Sequence, residues 1–148
     1  MTTLPCRLIV CEKASHFAPA LRRELGPGGM VVVETRSIAG CDAALSESPE
    51  SLVAVEVSES NLAVAVESIQ RIGRCYPRAV VVVLLSAEMR AAEMLVAEAG
   101  ASGVFHSVLE APRLAKMALK KLALVKPVEL TPQQLVAQRM PWSAQASA

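Results

Sequence analysis

Aromatic residues are almost absent from this chain of 148 residues, in which Phe, Tyr and Trp together make up 3%. Hydrophobic residues nevertheless make up 53%, a share that excludes an intrinsically disordered protein. The core must therefore be built from aliphatic side chains and methionine. The length suits a single domain with a substantial core.

The chain also lacks an excess of charge of one sign, because 15 Lys and Arg stand against 14 Asp and Glu, for a net charge of +1. An extended nucleic-acid-binding surface usually needs a basic stripe, and the sequence has none. No apolar run reaches the roughly 18 residues of a membrane span, and the N-terminal residues show no signal-peptide pattern. We therefore expect a cytoplasmic protein that binds no membrane and, by itself, no nucleic acid.

The cysteines form no CxxC pair and share no zinc-type spacing with a histidine; they are Cys6, Cys11, Cys41 and Cys75. The two histidines do not form a plausible metal pair. We therefore predict no metal and no cofactor, and we interpret the cysteines as reduced thiols of a cytosolic protein. A redox role for Cys11 is the alternative.

Five segments rich in Val, Leu and Ile predict β-strands. They are residues 7–11, 30–35, 51–57, 78–86 and, with a weaker pattern, 102–107. Their β-branched content and nearly uninterrupted apolar character are typical of strands covered on both faces, as in a parallel sheet.

Helical patterns lie between and after these strands. Phe17, Leu21 and Leu25 mark the first helix, which ends at the glycine-rich residues 26–29, and a short second segment follows the second strand. The last three helices are marked by Leu62, Val66, Ile69 and Ile72, by Ala91, Ala92, Leu95, Val96 and Ala99 before Gly100, and by Leu114, Met117, Ala118, Leu122 and Val125. Because such crossovers are right-handed, the order predicts a (βα)5 doubly wound five-stranded parallel sheet, a flavodoxin-like α/β fold in three layers.

Glu56 interrupts the third apolar segment near its end. A carboxylate in a buried strand is costly unless it is paired or partly solvated, so this residue should lie at the strand's exit. Ligand sites in doubly wound folds lie beyond the carboxyl ends of the strands. Four strand ends should therefore converge on one crevice, which would hold Cys11, Glu12, Glu56, Ser86 and Ser107.

Several short stretches, in this order and spacing, resemble a response-regulator receiver domain over residues 7 to about 125. They are LIVCEK (8–13), LRREL (21–25), SLVAVE (51–56), LLSAE (84–88) and EAGASGVF (98–105). The resemblance implies a receiver-like domain at residues 1–126.

The resemblance also implies a degenerate site. A receiver's phosphoryl-accepting Asp is replaced by Glu56, its Mg²⁺-binding acidic pair by Cys11 and Glu12, and its Lys by Ser107, whereas Ser86 fits the hydroxyl that senses phosphate. The switching aromatic falls at Val104, with Phe105 adjacent. Because Cys is a soft ligand and Glu is one methylene longer than Asp, phosphoryl transfer is not expected. Glu56 is then a solvated strand-end residue, a permanent imitation of a phosphorylated state, or a carboxylate held by local hydrogen bonds.

We therefore expect a pseudo-receiver, not an enzyme, that acts in bacterial-type signalling through protein–protein contacts. The partner is a signalling protein or a second copy, bound through the fourth helix, fifth strand and fifth helix; candidate contacts are Val104, Phe105, Lys116, Lys120 and Trp142. One alternative is a small enzyme or ligand-binding module that uses the crevice around Cys11, Glu12, Glu56 and Ser86. Another is phosphorylation at Ser58 or Ser86.

Residues 127–148 form a separate tail, because the five strands and five helices are complete before Pro127. Thr131, Pro132 and Gln134 predict the start of a short helix over 132–140. Such a helix is marginal alone, so we expect the tail, with Trp142, to be a recognition element that needs a surface.

Overall fold

The computed structural model describes residues 6–27 and 30–124. Five parallel strands form one sheet in the order β2-β1-β3-β4-β5. The strands are β1 (Leu8–Cys11), β2 (Val32–Thr35), β3 (Leu52–Val57), β4 (Val80–Leu85) and β5 (Gly103–Phe105). The doubly wound, flavodoxin-like sheet is thus confirmed. The predicted tail, its helix and Trp142 lie outside the described residues.

Five α-helices connect and follow the strands. They are α1 (Phe17–Leu25), α2 (Ile38–Glu47), α3 (Leu62–Cys75), α4 (Glu93–Ala99) and α5 (Ala111–Leu124). Short 3-10 turns precede the last two helices, at Ala87–Ala92 and at Val108–Glu110. None of these helices has the combination of length and apolar character that crossing a membrane would require.

The core has two halves because successive side chains of each strand point to opposite faces of the sheet. On one face, Leu8 and Val10 of β1 pack in the cluster that contains the buried residues of α1 and α5. On the other face, Ile9 and Cys11 pack with the buried residues of α2, α3 and α4. Full burial of an aliphatic side chain of this size stabilises a fold by about 1.5–3 kcal/mol, so an almost aromatic-free core suffices.

The structure differs from the sequence-based prediction around the fourth helix. The pattern predicted a helix from Ala91, but a 3-10 turn occupies Ala87–Ala92 and α4 begins at Glu93. Met89 within this turn has non-helical dihedral angles (φ −101°, ψ 16°), which prevents a continuous α-helix. Leu95, predicted to lie on the buried face, is exposed, whereas Val96 is fully buried.

The fifth strand is also shorter than the predicted segment 102–107, since β5 ends at Phe105. The next backbone N–H, that of His106, donates to the carboxylate of Glu110 at 2.6 Å rather than continuing the ladder. Ser107 then begins the 3-10 turn that leads into α5.

Two leucines of α5 provide a matched test of this packing, because Leu114 is fully buried and Leu119 is exposed. We expect Leu114→Ala to lower the free energy of unfolding by about 2–5 kcal/mol, through lost burial and a residual cavity. Leu119→Ala should stay within about 0.5 kcal/mol of the wild type, as surface substitutions usually do. Urea unfolding followed by circular dichroism measures both. Equal losses for the two variants would contradict the packing of α5 described above.

Candidate functional site

The strand register brings the predicted site residues to one edge of the sheet. Cys11, the last residue of β1, lies beside Val55 of β3, so Glu12 follows next to Glu56. Glu56 in turn lies beside Leu84 of β4, one residue before the strand's end. The carboxyl ends of the strands therefore converge as the sequence predicts.

Glu12 is buried, with 2% of its surface exposed. Its carboxylate accepts hydrogen bonds from the backbone N–H groups of His16, Phe17 and Ala18 at 3.1, 3.0 and 3.1 Å. These are the unpaired donors at the start of α1, whose N-cap residue His16 makes no side-chain capping bond. Glu12 is therefore the cap of α1, and three of the roughly four lone-pair positions of its carboxylate are occupied by backbone donors.

The side chain of Glu56 is partly buried and, like that of Glu12, accepts a hydrogen bond from the backbone. Its Oε1 accepts a hydrogen bond from the backbone N–H of Lys13 at 3.2 Å, which ties the loop after β1 to the end of β3. Its own carbonyl oxygen accepts from the side-chain amide of Asn61 at 3.0 Å. The Lys13 ammonium group donates to Ser60 Oγ at 3.4 Å. Of the three interpretations of Glu56, these contacts favour a carboxylate held by local hydrogen bonds.

The hydroxyl groups of the two serines in the site differ in their hydrogen bonds. Ser107 Oγ accepts a hydrogen bond from the backbone N–H of Leu109 at 3.2 Å and so caps the 3-10 turn after β5. Ser86 is exposed, makes no side-chain capping bond, and accepts from the Met89 N–H only through its carbonyl oxygen at 2.9 Å. The Ser86 hydroxyl is thus more available than that of Ser107 to form a hydrogen bond with a ligand.

A network around His106 was not predicted. His106 Nδ1 lies 3.0 Å from the carbonyl oxygen of Leu85, and its Nε2 lies 3.5 Å from a carboxylate oxygen of Glu93. The backbone N–H of His106 and the Arg113 guanidinium, the latter at 3.1 Å, both donate to Glu110. The His106 N–H is the main cause that lowers the pKa of the Glu110 carboxyl, with the Arg113 charge adding to it. The sequence signal for this network was the capping-box pattern Ser107-x-x-Glu110, which lies directly before α5.

The predicted crevice is divided into two cavities. The larger, of about 640 Å³, has an apolar floor that includes Leu84 and Phe105, and both serines, Ser86 and Ser107, line it. The smaller, of about 260 Å³, is lined by Cys11 together with Lys13, Arg36, Ser37, Ile38, Asn61 and Val64. Glu12 and Glu56 line both cavities and separate them. Cys11 therefore does not share a cavity with Ser86.

No cluster of three or more His, Cys, Asp or Glu side chains within residues 6–27 and 30–124 could hold a metal ion. Cys11 is buried at the end of β1 and belongs to the α2–α3–α4 half of the core. This edge of the sheet presents one soft thiol and two carboxylates that accept hydrogen bonds from the backbone.

The predicted interaction residues fall into different environments. Phe105 is only 2% exposed and packs in the α1–α5 half of the core, with the Arg113 guanidinium 4.4 Å from its ring centroid. It therefore offers no surface to a partner, and its assignment as a contact residue is corrected. Val104 is partly buried against the α2–α3–α4 half of the core, whereas Lys116 and Lys120 are exposed on α5.

No protein-family model and no curated protein matches the sequence, but solved structures share the fold. A response regulator from Thermotoga maritima has a TM-score of 0.66 at 20% identity, over 81% of this chain and 99% of that one. A CheY-like protein, TadZ from Pseudomonas aeruginosa, has a TM-score of 0.65 at 17% identity, over 79% and 98%. An atypical orphan response regulator, described as revealing a new phosphorylation-independent regulatory mechanism, has a TM-score of 0.62 at 20% identity, over 80% and 96%. These similarities establish a receiver-type fold, and the function has to be argued from the site.

The structural role of Glu12 can be separated from that of Glu56 by truncation. Glu12→Ala leaves three backbone donors without their partner, and an unsatisfied buried donor costs about 1–3 kcal/mol. We expect Glu12→Ala to lower the free energy of unfolding by at least about 3 kcal/mol, and Glu56→Ala, which removes one hydrogen bond, by about 0.5–1.5 kcal/mol. Urea unfolding at neutral pH measures both. A smaller loss for Glu12→Ala than for Glu56→Ala would contradict the capping role.

Proposed function

We propose that this protein is a phosphorylation-independent receiver-like domain that acts through protein–protein contacts in bacterial-type signalling or regulation, and that it is not an enzyme. The observation that carries the proposal is the carboxylate of Glu12. It occupies the place of a Mg²⁺-binding acidic residue but is committed to three backbone N–H groups. The residue that would help to hold the cation has become part of the scaffold.

The rest of the site supports the same conclusion. Phosphoryl transfer requires an in-line acceptor and positive charge around the transferred oxygens. The proposed acceptor position holds Glu56, which is bonded to the Lys13 N–H, and the proposed cation position holds Ser107, whose hydroxyl caps a turn. The atypical orphan regulator of the same fold provides a precedent for regulation without phosphorylation.

The surface best suited to a partner is formed by α4, β5 and α5 with their preceding turns. Large apolar side chains are exposed there: Met94, Leu95, Val108, Leu109 and Leu119. Leu109 is the most exposed of them, at 86%. Lys116 and Lys120 on α5 are also exposed. A mixture of apolar and charged side chains is typical of the surface that a regulatory protein offers to a partner or to a second copy.

The absence of phosphoryl chemistry can be tested directly. We expect the intact mass to stay unchanged after incubation with acetyl phosphate and Mg²⁺, because the site lacks both the free carboxylate pair and the second cation. Glu56→Gln serves as the matched control, since it keeps the length of the side chain and removes its charge. A Mg²⁺-dependent gain of one phosphoryl group that disappears in Glu56→Gln would overturn the proposal.

The proposed surface can be tested with charge substitutions at exposed apolar residues. Leu109→Asp should weaken association with the partner, or with a second copy, at least about tenfold, because burying an unpaired carboxylate at an interface is unfavourable. Val64→Asp is the matched control, since Val64 is exposed on α3, away from this surface. Sedimentation velocity measures self-association, and quantitative capture of partners from the native cell measures the rest. Equal weakening by the two substitutions would contradict the assignment.

The larger cavity supports a second candidate function, that of a small-molecule-binding module. A volume of about 640 Å³ with an apolar floor and a few polar groups is typical of a ligand site. Native mass spectrometry of the purified chain detects a co-purifying molecule. Ser86→Trp, at an exposed residue of the cavity, should displace such a ligand without unfolding the domain. A chain that carries no ligand before the substitution would count against this candidate.

A further inference from the structure

Two of the four cysteines lie close together in one half of the core although they are far apart in the sequence. Cys11 ends β1, and its partner in the register with β2 is Thr35. The hydroxyl of Thr35 lies 3.7 Å from the Sγ of Cys41 in α2, and Cys11 and Cys41 pack in the same half of the core, so Thr35 places the two thiols near each other. The other cysteines are separate, since Cys6 packs in the opposite half of the core and Cys75 is exposed at the end of α3.

The start of α2 explains how the pair is brought together. Ser37 caps this helix, with its Oγ accepting from the backbone N–H of Gly40 at 3.1 Å. A Cβ at position 40 would lie 3.2 Å from the Cβ of Thr35, which is closer than ordinary van der Waals contact. Glycine therefore allows the first turn of α2 to approach the end of β2. The next residue, Cys41, then lies within reach of Cys11.

The two thiols differ in access and in acidity. Cys11 is 7% exposed and lines the smaller cavity, whereas Cys41 is 1% exposed and does not line it. The hydrogen bond from Cys41 lowers the pKa of the Cys11 thiol to about 7, despite burial and the nearby carboxylates of Glu56 and Glu12. The same contact, together with burial, raises the pKa of Cys41. Cys11 is therefore the thiol that reacts as a thiolate, and Cys41 is the neighbouring thiol that stays protonated.

We propose that Cys11 and Cys41 are a redox-active pair that a small hydroperoxide converts to an intramolecular disulfide. The thiolate of Cys11 attacks one peroxide oxygen and the O–O bond breaks, which leaves a sulfenic acid on Cys11 and releases hydroxide or an alkoxide. The sulfur of Cys41 then attacks the Cys11 sulfur and loses its proton, so that the S–S bond forms as the S–O bond breaks, and the departing hydroxyl takes that proton and leaves as water. Overall, two thiols are oxidised and one hydroperoxide is reduced by two electrons.

The position of this disulfide gives it a structural consequence. It would join the last residue of β1 to α2, directly before Glu12 and its cap on α1. A small oxidant can reach Cys11 through the smaller cavity, whose volume is about 260 Å³. The inference rests on this geometry and is independent of the function proposed above.

The sequence makes the disulfide straightforward to map, because each cysteine falls on its own tryptic peptide. These peptides are residues 1–7, 8–13, 37–71 and 75–78. The reduced full-length chain is treated with a slight excess of hydrogen peroxide, denatured in N-ethylmaleimide and digested without reductant. We expect a cross-linked pair of peptides 8–13 and 37–71, an intact mass lower by two hydrogens before alkylation, and alkylated Cys6 and Cys75. Dithiothreitol should reverse the cross-link.

Two variants sharpen the test. Cys75→Ser removes the exposed thiol and should leave the cross-link unchanged. Cys41→Ser keeps a side-chain donor beside Cys11 and should leave Cys11 as a sulfenic acid that dimedone labels, because the second thiol is missing. The wild-type mapping decides the question even if Cys41→Ser does not fold. Cys11 oxidised beyond sulfenic acid with Cys41 alkylated, Cys11 and Cys41 both alkylated, or any other cysteine pairing would overturn the proposal.

Discussion

The buried carboxylate of Glu12 is the constraint on which the rest of the site depends. A charge with 2% exposure is tolerable only because three backbone N–H groups at the start of α1 satisfy it. Helix α1 needs this partner in turn, since His16 provides no side-chain cap. The contact fixes the first turn of α1 against the end of β1. The helix start therefore uses most of the acceptor capacity of this carboxylate, and structural stability depends on that one side chain.

The same use of polar side chains recurs along the carboxyl edge of the sheet. Glu56 holds the N–H of Lys13, Ser107 caps a turn, and Glu110 holds the N–H of His106. Each of these groups satisfies local backbone that a loop or turn would otherwise leave unpaired. In a receiver the corresponding edge performs the chemistry, whereas here most of its polar groups serve as scaffold. This use of the polar groups supports the proposal that the chain acts through its surface rather than through reaction at this edge.

The sequence was sufficient for the fold and only partly sufficient for the site. Apolar runs such as 51–57 predicted the strands, because a parallel sheet buries both faces of its strands. The convergence of Glu12 and Glu56 followed from topology, but the direction of the Glu12 carboxylate did not, since it depends on where α1 begins in space. The proximity of Cys11 to Cys41 was equally hidden, because it requires α2 to approach β2 at Gly40. Leu95 was misplaced because the buried side of this segment follows Ala92 and Val96, four residues apart, and Leu95 lies outside that stripe.

The two carboxylates that divide the crevice also determine which chemistry each side allows. Glu12 and Glu56 line both cavities, so an incoming phosphoryl group meets two carboxylates on either side, which Lys13 and Arg36 offset in the smaller cavity and Arg23 offsets in part in the larger one. The backbone bonds on Glu12 offset part of its charge, but Glu56 receives one such bond and remains partly exposed. A neutral oxidant is insensitive to these charges on the side that contains Cys11, and a neutral molecule is insensitive to them above Phe105. The charges along this edge therefore discriminate among ionic ligands, whereas uncharged reactants are limited by the size of each cavity.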